Sequence, residues 1–130
     1  QTKAILLSNR RVYFHKVCIS PFDGVTRDTV IIITPNEERN LGFIFETVFS
    51  EHFISYATKN SYGSEQPVLS PTTVMDYIIA YPNDSLDHSY SNIVNEMIDQ
   101  VLMNERENNQ LLELRNLLLP LLMTGQATIE

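Results

Sequence analysis

The last third of the chain carries its longest uninterrupted helical pattern, from Leu86 to Met123, and the dipeptide Thr124-Gly125 ends it. A single helix from Leu86 to Leu119 would be roughly 50 Å long, at about 1.5 Å of rise per residue. The small body of sequence before it cannot bury a helix of that length. Most of the helix's apolar surface is therefore expected to contact another helix or another chain.

The leucines of this helix surround its C-terminal end instead of forming one stripe. At about 100° per residue, the leucines between Leu111 and Leu122 cover an arc of roughly 240°, against about 100° for an ordinary surface helix. One contact face would leave much of this arc in water, so we expect two contacts, with a partner helix and with a second surface. Arg115 falls inside the arc, where it either needs a carboxylate or carbonyl partner or extends its charge to water. Pro120 removes a helical hydrogen bond and is expected to kink or end the helix.

Polar residues interrupt the apolar seam in the middle of the helix. Asn104 and Asn108 fall on the seam that Ile93, Val101 and Leu102 continue. Asparagine at such positions tends to specify register and oligomeric state at some loss of stability. The residues expected at a subunit interface are therefore Val101, Asn104, Asn108, Leu111, Leu114, Arg115, Leu118, Leu119 and Leu122.

The sequence before the helix predicts an α+β fold, with a small twisted β-sheet and short helices. Apolar, β-branched and aromatic runs predict strands at Ala4–Leu7, Val12–Ser20 and Thr29–Thr34. The last of these runs is continuously β-branched, which is typical of a strand covered on both faces. From Glu37 to Lys59 the apolar residues recur with helical spacing, which predicts either one helix or two helices with a break near Ser50.

Shorter patterns connect this region to the long helix. A polar loop is predicted at Asn60–Gln66 and an extended stretch at Pro67–Leu69. Ser70-Pro71 is typical of a helix start, with the serine as N-cap and the proline at the first helical position. Tyr77–Tyr81 predicts a strand closed by a proline, and Asn83-Asp84-Ser85 predicts the joint that caps the long helix.

The charge of the chain is unevenly distributed. Its net charge is −7, but residues 1–70 carry seven basic and seven acidic side chains, whereas residues 71–130 carry two basic and nine acidic ones. The acidity therefore belongs to the helix and its approach, and the locally basic N-terminal part is compatible with DNA binding. One cysteine excludes an internal disulfide framework and fits a reducing, cytoplasmic compartment. No apolar run reaches the ~20 residues of a membrane span, so no membrane partner is expected.

The sequence offers little for catalysis or for metal binding. Cys18 with His15 and Asp23 could supply a thiol nucleophile, which keeps a small cysteine hydrolase open as an alternative. In a strand, however, His15 and Cys18 point to opposite faces, and a lone cysteine in a β-branched run is usually a small core residue. The histidines lack zinc-ligand spacing and the glycines stand apart, so neither a metal site nor a phosphate loop is predicted.

Two loop regions carry the side-chain types that suit DNA. Arginine pairs bidentately with guanine and also binds phosphate, asparagine and glutamine suit adenine, and a glycine lets the backbone approach closely or take a positive φ. The alternative is that both regions are ordinary solvated turns. The candidate DNA-binding residues are Asn9, Arg10, Arg11, Lys16 and Arg27 around the first loop, and Lys59, Asn60, Ser61, Tyr62, Gly63, Ser64 and Gln66 in the second.

Two motifs give the chain a resemblance to a known family. The helix ends as Leu111-x-x-Leu114-Arg115-x-x-Leu118-Leu119-Pro120-x-Leu122-x-x-Gly125, and the second loop reads Gly63-Ser64-x-x-Pro67-x-Leu69-Ser70. Together with the order of extended and helical segments, these motifs resemble a target-recognition unit in the specificity subunits of type I restriction-modification enzymes. The resemblance covers nearly the whole chain, and the helical motif is the more specific of the two.

The resemblance implies a non-catalytic role in DNA recognition. Residues 1–85 would be a target-recognition domain truncated at its N-terminus, residues 86–123 a spacer and dimerisation helix, and residues 124–130 a tail. The implied partners are double-stranded DNA, a methyltransferase subunit, a restriction subunit and a second copy of this chain bound through the helix. The partner subunits would use S-adenosylmethionine, ATP and Mg, and this chain would use no cofactor.

The chain also departs from the family pattern. Family subunits carry two recognition units, each with more strand-rich sequence before the part present here. This chain begins at Gln1 without a methionine, and we interpret it as a fragment of the second unit. Two alternatives stay open: a coiled-coil adaptor or oligomerisation module without DNA binding, and the recognition segment of a fused restriction-methylation enzyme.

Overall fold

A computed structural model describes residues 3–126, apart from the side chain of Asp84. It confirms an α+β fold with a small sheet, short helices and one long helix. The elements in chain order are β1 (Ile5–Ser8), a 3-10 turn (Val12–Phe14), β2 (Val17–Ile19), β3 (Val30–Ile33), a second 3-10 turn (Glu38–Asn40), α1 (Leu41–Phe49), α2 (Glu51–Lys59), α3 (Pro71–Met75) and α4 (Asp84–Met123). The chain divides into two compact units, Gln1–Glu96 and Met97–Glu130, and the boundary falls within α4.

The sheet has three antiparallel strands in the order β2-β1-β3. Strand β1 lies in the centre, where Leu7 is opposite Val17 of β2 and Ile31 of β3. Successive residues of a strand point to opposite faces, so Ile5 and Leu7 lie on the same face, and both are fully buried. The predicted first strand is confirmed within one residue of its bounds.

The predicted strand at Val12–Ser20 is wrong over its first half. Val12–Phe14 forms a 3-10 turn, and only Val17–Ile19 pairs with β1. Arg11 and His15, on either side of the turn, have positive φ values of 51° and 52°, which interrupt an extended backbone. Val12 is 2% exposed and belongs to the core. The β-branched and aromatic composition predicted a strand here, but the chain forms a turn in which Val12 is buried in the core.

The predicted third strand exists, but it is not covered on both faces. Ile31 is buried, whereas the next residue, Ile32, is 55% exposed. The buried face of the sheet joins a core that includes Leu7, Val48 of α1 and Phe53 of α2. A continuous β-branched run favours a strand whether or not each side chain is buried, so the run alone did not distinguish the two cases.

The helical segment between Glu37 and Lys59 contains two helices, which confirms the break near Ser50. Ser50 ends α1 and is the N-cap of α2, where its Oγ accepts a hydrogen bond from the backbone N–H of Phe53 at 3.2 Å. Within the first unit, a Cβ added to Gly42 of α1 would lie 2.6 Å from Cγ1 of Val94. The glycine therefore permits a close approach of α1 to the beginning of α4.

The segment between α2 and α4 confirms one prediction and contradicts another. Ser70 caps α3, as predicted, because its Oγ accepts from the backbone N–H of Thr72 at 3.3 Å. The strand predicted at Tyr77–Tyr81 is wrong, since these residues form no strand and pair with none in the described part of the chain. Aromatic contacts hold the segment instead: the Tyr77 ring lies 5.1 Å from that of Phe53, and the Tyr81 ring lies 5.5 Å from that of Phe43.

Both ends of α4 follow local rules that the sequence contains. At its start, the backbone N–H of Leu86 donates to Oδ1 of Asn83 at 3.0 Å. The helix continues through Pro120 to Met123, so Pro120 does not end it. The helix stops where Gly125 takes a φ of 71°, with its N–H bonded to the carbonyl of Leu122 at 3.2 Å. In the described part of the chain, no helix is long and apolar enough to cross a membrane.

Candidate nucleic-acid interface

The two loops that were predicted to contact DNA lie side by side, although they are distant in the sequence. Isolated antiparallel bridges join Arg10 to Val68 and Tyr62 to Val68. The backbone N–H of Arg11 donates to the carbonyl of Pro67 at 3.1 Å. We call residues 8–11 and 62–68 together the paired-loop surface. Its main-chain bonds place most of the candidate DNA-binding residues on one part of the first unit.

Side chains reinforce this pairing. Arg10 Nη1 donates to Oε1 of Gln66 at 2.9 Å. These two candidates, whose side chains suit hydrogen bonding to the edges of guanine and adenine, therefore contact each other directly. Arg10, Arg11 and Tyr62 are all exposed. Gly63 has a φ of 99°, and a Cβ there would lie 3.2 Å from the carbonyl oxygen of Gln66. The positive φ predicted for this glycine is thus confirmed, and it shapes the turn that carries Gln66.

Three of the candidates use their side chains for the fold. Asn9 Nδ2 donates to the carbonyl of Asp28 at 3.0 Å, which ties the first loop to the turn that carries Arg27. Asn60 Nδ2 donates to the carbonyl of Tyr56 at 2.8 Å. Ser61 Oγ donates to the carbonyl of Ala57 at 2.7 Å. These bonds end α2 and hold the first loop, so we assign these three residues a supporting role.

The remaining candidates surround the paired-loop surface. The carbonyl of Lys16 accepts from the backbone N–H of Ser8 at 3.0 Å, which places Lys16 beside the first loop. Its Nζ lies 5.3 Å from the centroid of the Phe14 ring. Ser64 belongs to the second loop and is exposed, and Arg27 and Lys59 are exposed outside the two loops.

The candidate interface residues of α4 are exposed, with the exception of Leu122, which is half-buried. Leu111 is 55% and Leu117 is 63% exposed, although both belong to the leucine arc. Arg115 Nη2 donates to Oδ1 of Asn116 at 3.0 Å, so the guanidinium is hydrogen-bonded to the amide of the next residue. Asn104 Oδ1 accepts from Nε2 of Gln100 at 2.8 Å, while Val101 and Asn108 face solvent.

The expectation that Cys18 is a core residue is wrong. Cys18 is exposed, because β1 pairs it with Leu6, whose neighbours Ile5 and Leu7 carry the buried face. His15 Nε2 lies 3.6 Å from Oε1 of Glu51. In the described residues, no group of three or more His, Cys, Asp or Glu side chains could hold a metal ion.

Sequence reasoning missed a polar cluster in the first unit, between the second 3-10 turn and the start of α4. Asp87 is fully buried, and its Oδ1 accepts from Oγ of Ser91 at 3.4 Å. Arg39 Nε lies 2.6 Å from Oε2 of Glu37 and 3.8 Å from Oδ2 of Asp87. Arg39 Nη1 lies 3.2 Å from Nε2 of His88. The Glu37 carboxylate, ahead of that of Asp87, raises the pKa of Arg39 above its ordinary value.

This polar cluster extends to the segment before α4. Tyr81 donates its hydroxyl to Oδ1 of Asn40 at 2.7 Å. Partial burial, followed by the nearby Asp87 carboxylate, raises the pKa of the Tyr81 phenol. Asn95 Nδ2 donates to the carbonyl of Arg39 at 3.2 Å. These contacts tie the first turns of α4 to the body of the first unit, which is a structural function.

One pattern in the sequence could have indicated this cluster. Asp87 and Ser91 are four residues apart, and the same helical spacing continues to Ile98 and Leu102, both of which are buried. A carboxylate at a buried helical position needs a cation, since unpaired buried charge is unfavourable. Arg39 meets that need from a distant part of the chain, so its identity could not be inferred from local spacing.

Comparisons with protein-family models, with curated proteins and with solved structures found no match for this chain. Its function must therefore be inferred from its own residues and from the motifs described above.

Proposed function

We propose that this chain is a DNA-recognition segment of the specificity subunit of a type I restriction-modification complex. In this proposal the first unit contacts one half of a split DNA target through the paired-loop surface. The helix α4 separates that unit from its counterpart. The chain itself catalyses nothing, while cytoplasmic partner subunits carry out methyl transfer and restriction with S-adenosylmethionine, ATP and Mg.

The pairing of the two candidate loops carries the DNA part of the proposal. Arg10 and Gln66 are in direct contact and Val68 bridges both loops, so one bound ligand can contact the side chains of both. The charge is also suitable, because the paired-loop surface carries Arg10 and Arg11 against the single carboxylate of Glu65, and Lys16 lies beside the first loop. A cationic surface in an otherwise acidic protein favours a polyanion.

The exposed leucines carry the assembly part of the proposal. An apolar surface of this kind is unfavourable in water and marks a protein contact. We propose that the helix pairs antiparallel with the equivalent helix of the other recognition unit, or with that of a second copy of this chain. The rest of its leucine arc would contact the methyltransferase subunit, and the restriction subunit would join through that complex.

Binding to a duplex at several salt concentrations tests the DNA part. The variant Arg10→Gln/Arg11→Gln is expected to bind more weakly and to flatten the slope of log K against log salt by about two, since each lost phosphate contact contributes about 0.9. The control Lys3→Gln/Arg106→Gln removes the same charge from outside the paired-loop surface. It is expected to leave the slope nearly unchanged. Equal slopes for both variants would move the DNA contact away from these loops.

A coiled-coil adaptor without DNA binding is a second candidate function, and the exposed leucine arc supports it independently of the loops. In this alternative the first unit would only anchor the helix. The two candidates differ in one outcome, because the adaptor would not bind random duplexes at low salt. Absence of duplex binding by the assembled complex would favour the adaptor.

A further inference from the structure

The 3-10 turn Val12–Phe14 has an uncommon backbone conformation on both sides. It is bounded by Arg11 and His15, both of which have a positive φ although neither is glycine. Such conformations are unfavourable for residues with a Cβ and tend to occur at functional sites. Val12 is buried in the core, and this burial directs the next two residues outward.

The two residues directed outward are adjacent aromatic rings. Tyr13 is 45% and Phe14 is 54% exposed, and their ring centroids lie 4.7 Å apart at an interplanar angle of 55°. The base of the turn is held in place by His15, whose ring lies 6.0 Å from that of Phe49 in α1. The exposed rings therefore stand on a supported turn of the first unit.

Cationic side chains accompany the rings. Lys16 Nζ lies 5.3 Å from the Phe14 centroid, and the exposed Arg11 precedes the turn. One carboxylate is also close to the turn, since Oε1 of Glu51 lies 3.6 Å from Nε2 of His15. Aromatic rings beside cations suit single-stranded or unstacked nucleic acid, where the rings stack on base faces and the cations contact phosphates.

We infer that residues 11–16 form a stacking site for nucleic-acid bases that are unpaired or displaced from the helical stack. Tyr13 and Phe14 lie against base faces, while Arg11 and Lys16 contact the flanking phosphates. The edges of paired bases require hydrogen-bonding groups, and their faces are covered within a regular duplex. The site therefore recognises DNA with a distorted or opened step. The inference rests on the proposed DNA contact, and it adds a preference for unpaired bases over a regular duplex.

Fluorescence anisotropy with the full chain tests the inference with two labelled probes. One is a regular duplex, and the other is the same duplex with a bulge of unpaired bases. The wild-type chain is expected to bind the bulged duplex about tenfold more tightly, the order of magnitude of one base stacked on an aromatic ring. Tyr13→Ala/Phe14→Ala is expected to lose this preference and to keep its affinity for the regular duplex.

Two further variants make the result specific. Tyr13→Leu/Phe14→Leu keeps apolar side chains on the turn but removes the rings, and it should lose the preference as fully as the alanine variant. Phe22→Ala removes another exposed aromatic ring outside the turn and should retain the preference. Thermal melting followed by circular dichroism shows whether each variant is folded.

Several outcomes would overturn the stacking site. Equal affinity of the wild-type chain for both probes would do so and would leave the proposed duplex contact standing. Retention of the preference by the leucine variant would assign it to charge or to apolar contact. A changed light-scattering mass in the alanine variant, with DNA preference unaffected, would assign the turn to a protein contact. Loss of binding to every DNA probe in the wild-type chain would count against the proposed function as well.

Discussion

Leucine has opposite environments in the core of the first unit and at the C-terminal end of α4. In the first unit, Gln1–Glu96, the side chains of Leu7, Leu41 and Leu69 are at most 1% exposed. In the second unit, Met97–Glu130, Leu111 and Leu117 are more than half exposed. Hydrophobicity alone therefore does not decide burial. A leucine is buried only where another element lies opposite its face.

The cause of the difference is the number of elements available to each unit. The first unit contains a sheet, three short helices and the start of α4, and these elements cover one another. In residues 97–126 the only element is the remainder of α4. A single helix cannot bury a leucine arc of roughly 240° by itself. The first unit is thus stabilised by its own contacts, and the second is suited to contacts with other molecules.

The largest expected difference is in the loss of stability when a buried leucine and an exposed leucine are each replaced by alanine. Leu69→Ala removes a side chain that is 1% exposed, and it is expected to lower the free energy of unfolding by about 2–5 kcal/mol. Leu117→Ala removes one that is 63% exposed and is expected to change it by no more than about 0.5 kcal/mol. Urea unfolding at low protein concentration, where chains are separate, measures both values. Equal losses would show that the second unit is covered within one chain.

A matched glycine pair tests the close packing inside the first unit. Gly42→Ala would place a Cβ 2.6 Å from Cγ1 of Val94, and the strain of moving that side chain is expected to destabilise the protein by about 1–3 kcal/mol. At Gly24 the nearest atom, Cε2 of Phe22, would lie at an ordinary 3.5 Å. Gly24→Ala should therefore leave the melting temperature nearly unchanged. A Gly42→Ala variant as stable as wild type would mean that α1 and the start of α4 are loosely packed.

Local rules in the sequence predicted much of the fold. Ser50 separates two helices, Ser70 caps α3 and Gly125 stops α4, and each of these depends on residues within one turn of the position. The apolar run at Ala4–Leu7 likewise predicted β1 within one residue of its bounds. The sequence also indicated the two candidate loops through their side-chain types, although it gave no reason to expect their contact.

The errors arose where distant residues decide the outcome. The turn at Val12–Phe14 accompanies burial of Val12 in a core built from later helices. The segment Tyr77–Tyr81 has the composition of a strand, but rings of Phe53 and Phe43 hold it without strand pairing. The Asp87 cluster depends on Arg39, which no spacing rule connects to α4. Long-range packing overrides propensity in each case.

One substitution in α4 should change the unfolding free energy of a single chain very little and yet abolish the association of two chains. Leu118→Asp adds a charge to the exposed leucine arc, so it is expected to leave the unfolding free energy of a single chain nearly unchanged. The same charge would be unfavourable inside a paired helix interface. Leu118→Met, which keeps an apolar side chain, is the control and should associate as the wild type does.

The central claim is that the exposed leucines of the second unit form an interface. The light-scattering mass of the wild-type chain at high micromolar concentration tests it most directly. The expected result is the mass of two chains, which falls to that of one chain in Leu118→Asp and not in Leu118→Met. A wild-type mass of one chain at that concentration would contradict the claim.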